Sequence, residues 1–262
     1  MFKKTSKKTT VALCICALTS FNAQADTTIQ FEKGDKRQPS ALYVKAGKVL
    51  IDNKDGNMNA LYDSNNENFS VLQHNKKSYI RMDEKRMAAQ MGMVENMRKQ
   101  MMARMQSMPA EQRTMIESRM ASMGLPSMQA LDKKSTTESS EIKKTGKWHT
   151  INGFKCEVVE IYRSNKQISE ACVADAKGLK MSEADFNTLR KMFDFSEKMA
   201  KKAGKIGAVM GEQHGDAGGI PVRSKNLENN SVQTIKSIST KALADDRFQI
   251  PADYSEMKMP GM

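Results

Sequence analysis

Sulfur is the most abundant reactive chemistry this chain offers. It carries 22 methionines in 262 residues, 13 of them from Met82 to Met128. Met87/Met91, Met97/Met101 and Met101/Met105 stand four apart, and Met105/Met108 and Met120/Met123 three apart. On a helix either spacing sets two thioethers on one face, and thioethers select Cu(I) by softness. The same spacing arises in any amphipathic helix that fills a core with adaptable side chains. A Met-rich surface can also re-pack around varied ligands such as acyl chains or unfolded segments. No His or Cys lies inside the cluster. Packing, an apolar groove and copper therefore stand as three readings, in that order.

Cys156 and Cys172 each lie eight residues from Ser164, inside a turn-like Ser164-Asn165-Lys166 cluster between two strand-like runs. A hairpin with an odd-numbered loop there sets them opposite each other, at the short separation a disulfide needs. No C-x-x-C motif is present, so the bond is expected to be a structural staple. The histidines His74, His149 and His214 form neither H-x-H nor H-E-x-x-H. They read as surface or turn residues rather than metal ligands. No G-x-S-x-G elbow, Walker loop or G-x-G-x-x-G occurs, and no carboxylate pair stands in an apolar setting that would tune it. A non-enzymatic protein without a cofactor is expected.

The elements that must position these residues follow from periodicity. Runs at 28–31, 41–45, 49–53, 57–62, 69–74 and 78–82 read as short strands separated by polar turns, an antiparallel meander. The period then becomes helical. Met87, Met91, Val94, Met101, Met105 and Met108 make a stripe that Met93, Met97 and Met102 widen. Pro109 opens a second helix bearing Met115, Ile116, Met120 and Met123, and Gly124 and Pro126 stop it. Residues 127–140 read as an exposed connection.

Strands are expected again at 141–144 and 148–151, then the cysteine hairpin at 154–162 and 168–174. Ser182-Glu183-Ala184-Asp185 resembles a capping box and starts a helix to about Ala203. Phe186, Leu189, Phe193, Ala200 and Ala203 form its apolar face, with Met192 and Met199 beside it. A second exposed connection is expected at 210–219, before strands at 220–223, 232–239 and 248–250. Helices between groups of antiparallel strands make the class α+β.

The first residues carry an address. Lys3, Lys4, Lys7 and Lys8 precede an apolar run, residues 11–18, and then Ala23-Gln24-Ala25. These are the three regions of a cleavable secretory signal, with cleavage between Ala25 and Asp26. Residues 1–25 are thus the expected signal and 26–262 a single domain working outside the cytoplasm, in the periplasm. The apolar run is shorter than the ~20 residues of a permanent span, and Leu13 and Ile15 before the two early cysteines argue against lipidation. Losing four lysines takes the formal +12 to +8. That surplus is dispersed among acids and reads as solubility, not nucleic-acid binding.

Several segments resemble domain-of-unknown-function family 4412. Leu50-Ile51-Asp52, Leu61-Tyr62-Asp63 and Lys77-Ser78-Tyr79 match its front, followed by Met-rich helices. Thr145-Gly146-Lys147, the run from Ile151 to Cys156, Cys172-Val173-Ala174-Asp175, Gly219-Ile220-Pro221-Val222 and the Phe248-to-Tyr254 pattern follow in its order. Cys172 departs from that pattern, where Trp is frequent. The family resembles LolA-type lipoprotein carriers, which implies a curved antiparallel sheet, a half-barrel, holding a greasy cavity under helices. With Met-rich helices on the concave face, the implied partner is a lipid or a lipoprotein acyl chain. The residues expected to line that space are Met91, Met101, Met105, Met115, Met120, Phe186, Leu189 and Phe193.

Overall fold

The computed structural model describes residues 26–32, 39–53, 56–109, 111–112, 114–115, 118, 140–203 and 217–257. The expected signal, the connection at 127–139, residues 210–216 and Met120 lie outside them. Six strands come first: β1 (Thr27–Phe31), β2 (Pro39–Lys45), β3 (Lys48–Asn53), β4 (Met58–Asp63), β5 (Asn68–Gln73) and β6 (Ser78–Met82). Helix α1 (Glu84–Gln106) leaves β6 directly. The second group is β7 (Glu141–Ile151), β8 (Phe154–Arg163), β9 (Lys166–Ala174), α2 (Ala176–Leu179), α3 (Glu183–Ala203), β10 (Ile220–Asn226), β11 (Val232–Ser239) and β12 (Ser255–Glu256).

The twelve strands among the described residues form one sheet, in the order β12-β6-β5-β4-β3-β2-β1-β11-β10-β9-β8-β7. Two antiparallel meanders meet where β1 pairs with β11, Ile29 facing Ile238. The expected wholly antiparallel sheet needs one correction, because β12 adds to β6 in parallel. Such pairing is open to a strand that arrives by a long crossover rather than a hairpin. The class is α+β, an open, mostly antiparallel sheet with a few helices.

Turn chemistry explains the meanders. Asn152 and Gly153 take φ of 51° and 81° between paired Ile151 and Phe154, the left-handed two-residue turn that matches strand twist and favours Asn-Gly. The cysteine hairpin turns on Ser164 and Asn165, with Arg163 facing Lys166, not on an odd-numbered loop. Continued unbroken, that register would set Cys172 opposite Glu157 and put the two cysteines on opposite faces. A register shift between Ile161 and Tyr162, with Ile168 as the extra residue, moves Cys172 opposite Val158 and onto the face of Cys156. The disulfide then closes with Cα atoms 5.3 Å apart.

Each sheet face has its own cover. On the inner face, Ile29, Leu42, Val44, Val49, Tyr62 and Phe154 pack against α2 and α3. On the outer face Val159, Ile161 and Val173 pack with Ala217, which is 1 % exposed. The exposed connection expected at 210–219 therefore ends before Ala217. Gly219 is also close-packed: a Cβ there would lie 2.6 Å from the Ala174 carbonyl oxygen. Further along the outer face the C-terminal segment crosses β3–β5, burying Phe248 over Leu50, Leu61 and Leu72. The strand expected at 248–250 is instead the end of a 3-10 turn, Asp245–Phe248, followed by extended chain. It lies on a sheet face, where no ladder partner is within reach.

Candidate functional site

Helix α3 supplies the inner wall. Ser182 caps it, its Oγ accepting the Asp185 N–H at 3.1 Å. Phe186, Leu189, Met192, Phe195 and Met199 are buried at helical spacing. Phe195 replaces Phe193 at the centre of the buried face, and Phe193 packs half-buried at its margin. Phe195 lies 5.8 Å, ring to ring, from both Tyr62 and Phe69. Burial, with Glu67 second, pushes the Tyr62 phenol up to about 12, so this ring packs as a neutral group.

Helix α1 behaves differently along its length. At its base Met87 is 7 % exposed and Met91 half-buried against the inner cluster. Further on, Met97 is 66 % and Met101 39 % exposed. Beyond Pro109, Glu111, Gln112, Thr114, Met115 and Ser118 are helical, and Met115 is 73 % exposed. Of the residues expected to share one greasy space, the structure brings together Met91, Phe186, Leu189 and Phe193. It leaves Met101 and Met115 at the surface, while the Met105 side chain and Met120 lie outside the described residues.

Charges hold the base of α1 against α3 and the sheet edge. Glu84 sits between Lys198 and Lys202 of α3. Those two ammonium groups, Lys198 first, hold its carboxyl down to about 2. Arg86 pairs with Glu256 of β12 and donates its backbone N–H to Asp83 Oδ1 at 2.8 Å. Phe69, Met82, Met91 and Phe193 are partly buried and form part of the apolar rim packed against the buried cluster.

A separate site lies on the inner face, across β7–β10. It is a cavity of about 90 Å³ lined by His149, Ile151, Val158, Glu170, Cys172, Arg223 and Lys225. Register assembles it: His149 faces Cys156, Lys225 faces Glu170, and Arg223 faces Cys172. Two cations beside one carboxylate over a buried disulfide would favour a small acidic group. Sequence reasoning had no signal for this site, because its lining residues come from four strands and meet only through cross-strand pairing.

The residues that match a known family model run from 56 to 254, a domain of unknown function designated DUF4412. The chain belongs to this family. The match to DUF4412 takes in β4 through β11, the helices and the C-terminal crossing. Strands β1–β3 precede it, yet they lie in the middle of the sheet and carry the seam between the meanders. No curated protein and no solved structure matches the chain. Among the described residues no helix is long and apolar enough to cross a membrane.

Proposed function

We propose that this DUF4412 protein is exported to the periplasm and holds an apolar ligand, a lipid or a lipoprotein acyl chain, against the helix-covered face of its sheet. The observation that carries this reading is the gradient along α1. Its thioethers begin in the buried cluster at Met87, pass through half-buried Met91 and continue to the surface at Met97 and Met101. Exposed flexible apolar side chains continuous with a core suit a ligand that varies in length.

A bent, half-barrel sheet is part of the proposal. One continuous cluster joins Tyr62 of β4 with Phe154 of β8. In a flat sheet those strands would stand roughly 34 Å apart, slightly more than the ~32 Å length of α3. Bending the sheet toward the helices brings both within reach.

The test is direct: organic extraction of protein purified from the exporting cell, followed by mass spectrometry and titration with a fluorescent fatty acid. Co-purifying lipid and saturable uptake support the reading; neither one appearing rejects it. The competing reading, an envelope protein with a structural role and a filled core, is favoured by the α3 side, where Leu189 is 0 % and Met192 3 % exposed. Cu(I) held by the α1 thioethers is a third reading, which requires titration to a defined stoichiometry that Met97→Leu and Met101→Leu abolish.

A further inference from the structure

Two buried carboxylates lie at the start of β1, Asp26 on the strand and Asp185 hydrogen-bonded to Thr27, and among the described residues Lys45 is the one cation paired with either. Asp26 is 6 % and Asp185 5 % exposed. Asp26 Oδ2 accepts from Lys45 Nζ at 3.1 Å and from the Leu243 backbone N–H at 2.6 Å. Lys45 is shared, since Asp245 Oδ1 lies 2.8 Å from the same ammonium. Asp185, in the first turn of α3, receives only hydroxyl chemistry: Thr27 Oγ1 donates to its Oδ2 at 2.6 Å, and Ser182 is its other side-chain partner. No described residue makes an ion pair with Asp185. Burial above all raises its carboxyl above the usual carboxylate range, the two hydroxyls work against that, and the Asp26 charge adds to it.

A buried carboxylate without a cation is costly, and none of the described residues supplies one to Asp185. We infer that the α-ammonium set free at Asp26 by cleavage after Ala25 is the counter-ion of the Asp26–Asp185 pair, so that processing completes the electrostatics of the folded domain. This inference rests on the export reading above. In the uncut chain the residue 26 nitrogen is a neutral amide. Cut, it carries a positive charge one residue from Thr27, whose hydroxyl touches Asp185, and thus within about 10 Å of that carboxylate even along the covalent path. The groups around it are Asp26 on β1, Asp185 on α3, Lys45 on β2 and Asp245 on the C-terminal turn. Three acids against one base leave room for one more positive charge.

The sign of the pH dependence follows. An amine that gains carboxylate neighbours on folding has a raised folded pKa. Its contribution is full below the ordinary α-amine value, about 7.7–8, and is lost as pH rises through the folded value.

The experiment uses processed protein recovered from exporting cells, half of it selectively acetylated at the α-amine, and follows urea unfolding at pH 6 and pH 10. The free-amine form is expected to have a folding equilibrium constant about tenfold larger at pH 6, with the difference gone at pH 10. Asp185→Asn, which keeps an acceptor for Thr27, should fold and erase the difference at pH 6. Equal stability of the two forms at pH 6, or a difference that survives Asp185→Asn, overturns the pairing. N-terminal sequencing of the exported protein separates the two ideas: a first residue other than Asp26 removes the processing premise, whereas a start at Asp26 with no effect of acetylation removes the pairing alone.

Discussion

Helices α1 and α3 are of similar length, 23 and 21 residues, both carry methionines, and they touch each other. Only α3 is a core helix. Its large apolar residues recur on one side and meet β2 and β3. In α1 the methionine stripe runs from Met87 out to Met101, and only its base is held, by Met87, Met91 and the Glu84 ion pairs. The difference shows that apolar content does not decide burial. A stripe is hidden only along the length over which a sheet or second helix lies against it.

Changes in α3 should therefore cost most. Leu189→Ala, at a fully buried position, is expected to lose about 3–4 kcal/mol in denaturant unfolding. A cost below that of a surface change would mean that α3 does not anchor the fold. Removing the disulfide by paired Cys156→Ala and Cys172→Ala should lose about 3 kcal/mol, from a closed loop with a sequence separation of 16. The loss should be recovered in none of the α1 variants.

The base of α1 should be sensitive to acid. Glu84 has a folded pKa held far below its ordinary 4.5, so its contribution is present above that value and lost as pH falls through about 2. Hydrogen exchange in the first turns of α1 should quicken over that window, and Glu84→Gln should quicken it already at neutral pH. Unchanged exchange would mean the ion pairs do not hold the helix. Smallest in stability, within about 0.5 kcal/mol, should be Met97→Gln and Met101→Gln on the exposed part of α1. On the ligand reading the same changes lower fatty-acid uptake, and loss of stability without loss of uptake would reverse the comparison.

Much of the secondary structure was legible in advance. The six strands of the first meander fall within a residue or two of the runs expected from alternation, and β11 at Val232–Ser239 coincides with its expected range. The capped start of α3 at Ser182 was equally visible. The candidate site was legible only in part. Phe186 and Leu189 were expected to line a ligand space and lie buried in the cluster, and Phe195 and the half-buried rim at Phe69 and Met82 were not expected there. A helical stripe has no sharp edge until a sheet is set against it. The polar cavity at His149, Glu170 and Arg223 left no trace in the sequence, since none of its partners are neighbours along the chain.

Sequence by itself determined the short-range features: strand and helix periods, the places where the chain turns, and a cysteine pair close enough in sequence to meet across a hairpin. These depend on residues within a few positions of one another. Only the tertiary structure decided which helix is buried, the extra residue at Ile168 that puts both cysteines on one face, and the hydrogen bond that brings Thr27 to Asp185 from 158 positions away along the chain. Each of these depends on how distant segments fill the same space, where packing and desolvation outweigh local preference.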